Sequence, residues 1–311
     1  MKHTLKITSI LICLFFLAQL IGLSIIYQDL KIEKTVSSTG QIVINVTHPE
    51  TVFGERPDVK NFDALILILE SVLVGTGLIL VIVKFGLKLI WKGLLFFAIF
   101  FSIGISLGTF LSPLIAGLIA FILAVLKVFK PNVFVHNLSE ILVYSGIAVL
   151  FVPLLQPLWV FVLLLIISGY DMFAVWKSKH MIKLAEFQIG TQAFSGLFIQ
   201  SSKKINKRII RKSRGTVNIK NKSVSTDKTG IAVVGGGDIA FPLLFAGSVM
   251  EFLIVSGVGN LDAFLKASVT SVFATLALLG LMVYGKKGRY YPAMPFITAG
   301  CVLGYLITLF I

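Results

Sequence analysis

The sequence predicts an all-α, polytopic membrane protein with about nine transmembrane helices. Of its 311 residues, 57% are hydrophobic and 14% are charged, which is too apolar a composition for an ordinary soluble domain. Apolar runs of about 20 residues recur along the chain, and a helix needs that length to cross a bilayer. The net charge of +14 would suit a nucleic-acid binder. The basic residues, however, lie between the apolar runs, as in membrane proteins, so we expect a lipid bilayer and no nucleic acid as partner.

The first half of the chain is predicted to form five helices. The apolar run 7–26 is interpreted as a retained helix, because it is longer than a signal-peptide core and lacks a clear cleavage site. A polar segment follows, in which residues 41–46 have the composition of a strand. Helices 2 to 5 are predicted at 63–83, 89–107, 110–129 and 138–155. Residues 1–155 therefore form an N-terminal unit with an external loop at 28–62.

The second half is predicted to form four helices, at 157–176, 231–258, 263–284 and 295–311. A long polar and basic stretch, 177–229, separates the first two of them. It includes an amphipathic piece, 184–199, that would suit a helix in the membrane interface. Residues 216–219 are its best candidate for a strand. Residues 156–311 therefore form a second unit, with helices 6 to 9 and a cytoplasmic loop at 177–229.

The basic residues also predict the orientation of the chain in the cell membrane. When alternate loops are assigned to one side, beginning with the N-terminus, 23 of the 28 basic residues fall on that side and 5 on the other. Cytoplasmic loops carry the excess of Lys and Arg. The N-terminus is therefore expected in the cytoplasm and, with nine helices, the C-terminus outside.

Two aspartates stand inside the predicted helices. Asp238 follows three consecutive glycines in helix 7, and Asp171 lies near the cytoplasmic end of helix 6. A charge in hydrocarbon is costly, so an intramembrane aspartate is a functional candidate by default. At 1.5 Å per residue, Asp171 lies about 9 Å from Lys177 and Asp238 about 10 Å from Ile231. Antiparallel neighbours would therefore bring both carboxyls to one depth in the cytoplasmic leaflet.

Two carboxyls this close in a site of low dielectric constant share one proton, as in aspartic proteases. The ionised carboxyl takes a proton from water, and the protonated one donates to the scissile carbonyl. This chemistry needs no cofactor. The four histidines show no metal-ligand spacing, so we expect no metal.

Three glutamates also fall within predicted helices, namely Glu70, Glu140 and Glu251. Glu251 lies 13 residues beyond Asp238, or about 20 Å along the helix, which is too far to join the pair. Each glutamate is expected to pair with a polar group between helices.

Three sequence motifs resemble those of the presenilin and signal peptide peptidase family of intramembrane aspartyl proteases. They are Tyr170-Asp171, Gly235-x-Gly237-Asp238 and Pro292-Ala293-Met294, where the family has Pro-Ala-Leu. Their order, the helix count and the long loop agree along nearly the whole chain. The resemblance implies a presenilin-like fold and an activity that cleaves transmembrane helices. It also implies that Asp171 and Asp238 are the catalytic residues. It implies that the other motif residues line the site or shape it for an extended substrate: Tyr170, Gly235, Gly237, Pro292, Ala293 and Met294.

The expected substrates are therefore transmembrane proteins, whose helix must unwind before hydrolysis. Pairing with a strand of the enzyme would satisfy the unwound backbone. No accessory subunit is implied, and a homo-oligomer stays open. Two other functions also stay open: intramembrane carboxylates and broken helices mark ion channels and transporters, and prepilin peptidases share the Gly-x-Gly-Asp motif.

Overall fold

The computed structural model describes residues 5–36, 42–130, 132–178, 184, 187–188, 191, 194–200, 231–285 and 291–311. These residues form nine α-helices of 15 residues or more and two antiparallel pairs of strands. The elements are α1 Leu5–Asp29, β1 Lys31–Val36, β2 Ile42–Thr47, α2 Phe62–Phe85, α3 Lys88–Gly108, α4 Pro113–Phe129, α5 Val133–Phe151, α6 Pro157–Met172, β3 Gly196–Gln200, β4 Ile231–Gly235, α7 Gly237–Val255, α8 Asn260–Tyr284 and α9 Met294–Thr308. The predicted all-α, nine-helix fold is thereby confirmed.

Seven helices in the described part of the chain are long and apolar enough to cross a membrane, and the two others, α4 and α9, are apolar but shorter. Local sequence explains several helix ends. Asn132 accepts a hydrogen bond of 3.1 Å from the Phe134 N–H, so α5 begins at Val133, five residues before its predicted start. Gly86 ends α2 in the left-handed conformation, with φ 65°.

The segment between α1 and α2 folds back onto the helices. The predicted strand at 41–46 is confirmed as β2, which pairs with β1. The Asp29 carboxyl accepts two hydrogen bonds from Arg56, at 3.0 and 2.8 Å. His48 lies between Asp29 and Glu251 of α7, at 3.1 and 3.2 Å. The segment is therefore tied to both α1 and α7, and the expected polar partner of Glu251 is His48.

Helix α7 lies at the centre of the bundle. It packs against α1, α5, α6, α8 and α9. Among the spans it is the most deeply buried, whereas α2 is the least, and Glu70 is exposed on α2. Two side chains from other elements contact polar groups of α7: Gln19 of α1 donates to the Ile239 carbonyl oxygen, and His48 contacts Glu251.

Two predictions for the second half were wrong in part. Residues 231–235, predicted as the start of a broken helix 7, form β4, because a short apolar run rich in valine fits a buried strand as well as a helix. The last four residues of the predicted amphipathic helix, 196–199, lie in β3, which pairs with β4. The strand predicted at 216–219 lies outside the described residues.

Candidate active site

Asp171 lies in the last turn of α6, and its side chain is buried. A π-helical turn, Phe173–Ser178, continues the helix. The Asp171 Oδ2 atom accepts a hydrogen bond of 3.2 Å from the backbone N–H of Met294, and the N–H of Ala293 donates to the same carboxyl. The first N–H groups of a helix have no partner within that helix. Asp171 therefore caps α9, and the backbone of the Pro-Ala-Met segment orients its carboxyl.

Asp238 lies in the first turn of α7, three residues after β4 ends. Its half-buried side chain reaches back to accept a hydrogen bond from the Gly235 N–H, as acidic residues in a first helical turn commonly do. A Cβ atom on Gly235 would lie 3.1 Å from the Asp238 Oδ2 atom. Glycine at position 235 therefore leaves room for the carboxyl.

The structure brings Asp171 and Asp238 together, close enough for their carboxyls to interact electrostatically. Helices α6, α7 and α9 pack against one another around the pair. The Ser168 hydroxyl lies 2.9 Å from that of Thr298, which links α6 to α9 about one turn from Asp171. Each carboxyl thus sits at the N-terminus of a helix and is oriented by backbone N–H groups.

The remaining motif residues are neighbours in sequence of the residues at these two positions. Tyr170 is half-buried and precedes Asp171 in α6, and Gly237 is exposed at the start of α7. Pro292 and Met294 are buried, and Ala293 is half-buried. The structure therefore joins Ala293 and Met294 to Asp171, and Gly235 to Asp238.

The antiparallel strand pair β3 and β4 lies beside the two aspartates. In it, Gly196 of β3 is opposite Gly235 of β4. The other edge of β3 is held by α5: the Asn137 amide donates to the Phe198 carbonyl oxygen at 2.9 Å and accepts from the Phe198 N–H at 3.0 Å. The His136 Nε2 atom lies 2.8 Å from the carbonyl oxygen of Gly196 and donates to it, because a carbonyl only accepts. Within the described ranges, β3 is the only strand that pairs with β4.

Sequence reasoning missed three polar side chains in this region, namely Gln19, Lys127 and Tyr144. The Gln19 amide of α1 donates to the Ile239 carbonyl oxygen at 2.9 Å. Glu140, expected to pair with a polar group, accepts hydrogen bonds from Lys127 and Tyr144. The spacing of Glu140 and Tyr144, four residues apart on one helix, was the signal that could have indicated this contact.

No group of three His, Cys, Asp or Glu side chains that could hold a metal ion occurs among the residues that the structure describes. What the geometry offers instead is a pair of oriented carboxyls beside a strand. That arrangement can perform general acid–base chemistry on an extended peptide.

Comparisons with known proteins bear on the family and the fold of the chain. A family model described as signal-peptide peptidase, presenilin aspartyl protease, matches residues 35–311. The chain is similar to a solved structure of a presenilin family intramembrane aspartate protease in the C222 space group, with 19% identity, a TM-score of 0.57 and coverage of 97% of this chain and 98% of that one. A structure in the P2 space group, under the same description, matches with 19% identity, a TM-score of 0.54 and 96% coverage of each chain. None of the curated proteins compared matches the chain.

Proposed function

The chain belongs to the signal peptide peptidase and presenilin family of aspartyl proteases, and on this premise we propose that Asp171 and Asp238 are its catalytic pair. As a member it is a multi-pass integral membrane protein and an intramembrane aspartyl protease that acts on membrane proteins. The observation that carries the proposal is that both carboxyls interact while each is oriented by backbone N–H groups. We further propose that residues 156–311 form the catalytic unit.

In the proposed mechanism, the two carboxyls share one proton. The ionised carboxyl takes a proton from water, and the resulting hydroxide adds to the scissile carbonyl carbon. The other carboxyl gives its proton to the carbonyl oxygen, which forms a gem-diol. When the C–N bond breaks, the proton taken from water passes to the leaving nitrogen, and a gem-diol proton returns to the other carboxyl. The products are a carboxylic acid and an amine, and the pair regains its starting state.

The proposed substrate-binding element is β4. A transmembrane helix must unwind to expose its backbone, and unwound backbone in a membrane needs hydrogen-bond partners. The edge of β4 away from β3 pairs with no strand among the described residues, and β4 ends three residues before Asp238. An extended substrate added to that edge would run past the pair. In this arrangement Tyr170, Gly237 and the Pro-Ala-Met segment line the site.

The proposed orientation puts the N-terminus in the cytoplasm and the C-terminus outside. The distribution of basic residues supports it, because 23 of 28 fall on one side. Both aspartates then lie in the cytoplasmic leaflet. We also propose that the chain cleaves its substrates without an accessory subunit and that any assembly is a homo-oligomer.

The test is cleavage of a transmembrane peptide by the purified chain in detergent. Asp171→Asn and Asp238→Asn should each remove activity while the protein stays folded, because the mechanism needs both carboxyls. Asp262→Asn is the matched control, since Asp262 is exposed in the first turn of α8. Wild-type turnover by either Asp171→Asn or Asp238→Asn would refute the assignment of the pair. Activity of the chain alone also tests the independence from other subunits, and size-exclusion chromatography reports its assembly state.

A further inference from the structure

A chain of buried polar side chains leads from the end of α4 to the residues before Asp238. Lys127, in the last turn of α4, donates to the Glu140 Oε1 atom, and the Tyr144 hydroxyl donates to the Glu140 Oε2 atom. The exposed fractions of Lys127 and Tyr144 are each 3%, and Glu140 is fully buried. An ion pair removed from water is a weak source of stability, because the loss of hydration offsets the attraction. The role of this ion pair is therefore better explained by the position in which it holds the Tyr144 side chain.

The Tyr144 hydroxyl is pressed against the backbone of Gly236. A Cβ atom on Gly236 would lie 2.7 Å from the Tyr144 oxygen and 3.0 Å from its Cε1 atom, both closer than normal contact. The Ser195 hydroxyl, 3.1 Å from the same point, is hydrogen-bonded to Tyr144. The Tyr144 oxygen thus has a fixed position, because Glu140 accepts its proton and Ser195 holds its other side.

Gly236 in turn sets the first turn of α7. Its carbonyl oxygen accepts hydrogen bonds from the N–H groups of Ile239 and Ala240, at 3.1 and 3.0 Å. Asp238 lies within that turn and near Tyr144. A shift of the backbone at Gly236 would therefore move the Asp238 carboxyl, and misplacement of a catalytic group by about 1 Å can cost on the order of a hundredfold in rate.

We propose that Tyr144, held by Glu140 and Lys127, is a positioning residue for Asp238, which it orients through Gly236. This inference rests on the proposed catalytic role of Asp238. It also explains the residue at the variable position of the Gly-x-Gly-Asp motif. Position 236 is glycine here because Tyr144 leaves no room for a Cβ atom.

The first test is Tyr144→Phe, which removes the hydroxyl and keeps the ring. Loss of a hydrogen bond to a charged partner should lower kcat about tenfold if it acts on the reacting geometry. KM should change little, because the proposed substrate edge of β4 is untouched. Tyr305→Phe is the matched control: Tyr305 packs against Phe245 of α7 and should keep wild-type kcat without its hydroxyl. A wild-type kcat for Tyr144→Phe would overturn the proposal.

The second test uses the contact itself. Gly236→Ala should lower kcat at least tenfold, because its Cβ meets the anchored Tyr144 oxygen. In the double variant with Tyr144→Phe, the ring is no longer bound to Glu140 and can move by the few tenths of an ångström that the methyl group needs. The double variant should therefore be more active than Gly236→Ala alone. Effects that simply multiply would show that the two positions act independently and would refute the inference.

Two further measurements keep the outcomes distinct. If Tyr144→Phe does not fold, as judged by thermal unfolding, Ser195→Ala decides: it removes a hydrogen bond to the same hydroxyl, and an unchanged kcat would overturn the proposal. Asp238→Asn distinguishes a wrong catalytic pair from a wrong positioning role for Tyr144. If it is active, the catalytic pair is wrong and the positioning role falls with it. If it is inactive while Tyr144→Phe has wild-type kcat, only the positioning role is wrong.

Discussion

The carboxyl of Asp171 is held by the backbone of residue 294, because its Oδ2 atom accepts a hydrogen bond of 3.2 Å from the Met294 N–H. The side chain of Met294 is not the donor; it is buried, with 3% exposed. A residue of similar volume can therefore replace it without changing the contact to Asp171. This explains how methionine can stand where the family motif has leucine.

We expect Met294→Leu to keep kcat/KM within about twofold of the wild type, since the N–H and nearly all the volume remain. Met294→Pro removes the N–H and should abolish cleavage. Peptide cleavage by both variants, with thermal unfolding to show that they are folded, checks the pair. A large loss for Met294→Leu would mean that the side chain, and not the backbone, sets the Asp171 geometry.

The helices could be predicted from the sequence because membrane spans follow from the length and apolarity of a segment alone. The two aspartates could be found because a carboxyl among apolar residues and glycines is costly and therefore conspicuous. The strand β4 could not be predicted, because an apolar run of five residues such as Ile231–Gly235 has no periodicity that distinguishes a strand from a helix.

The contacts around the pair depended on long-range packing that no local pattern encodes. Residue 144 meets residue 236, and residue 19 meets residue 239, only because α5 and α1 pack against α7. The Asn137 amide makes the two backbone hydrogen bonds that a neighbouring strand would make to β3. An asparagine within a helix does not normally indicate such a contact. These contacts could be identified only from the structure.

Asn137→Ala should weaken substrate binding more than catalysis. It removes both hydrogen bonds to Phe198 and so loosens β3, against which β4 is paired. Two hydrogen bonds contribute about 1 kcal/mol each, so we expect KM to rise by up to about thirtyfold with a smaller change in kcat. Initial rates over a range of peptide concentrations measure this. Asn260→Ala, at an exposed position in α8, is the matched control. An unchanged KM would argue against β4 as the substrate-binding edge.

The cluster of His48, Asp29 and Glu251 predicts a pH dependence of stability. Burial disfavours the charged imidazole, but the hydrogen bonds and charges of Asp29 and Glu251 outweigh it and raise the pKa of His48 above 6.5. Protonated His48 therefore stabilises the folded state. Its contribution is fully present below about pH 6.5, the ordinary histidine pKa, and is lost as the pH rises through the folded pKa.

Thermal unfolding in detergent at several pH values tests this. The apparent Tm of the wild type should fall as the pH rises above about 6.5, and His48→Gln should be less stable at low pH and flatter across the range. Exposed His sites give no such slope, because their pKa is the same in both states. A wild-type profile identical in slope to that of His48→Gln would show that His48 carries no net charge coupling in the fold.

The direction in which a transmembrane substrate crosses the membrane should decide whether it fits the site. In the proposed orientation, with the N-terminus in the cytoplasm, α6 would run inward to Asp171 and α7 outward from Asp238, which would place the pair in the cytoplasmic leaflet. The strand β4 has one direction, and a substrate added to its edge is hydrogen-bonded differently in the parallel and antiparallel senses. One orientation of the substrate should therefore be preferred, and the presenilin-like topology favours single-span proteins with an external N-terminus.

The experiment offers one transmembrane segment in both orientations in reconstituted vesicles and identifies the products by mass spectrometry. We expect cuts in the cytoplasmic half and at least tenfold faster cleavage of the segment with an external N-terminus, a difference of about 1.4 kcal/mol in barrier. Equal cleavage of the two orientations would remove the directional role of β4, whereas cuts in the outer half would remove the proposed topology.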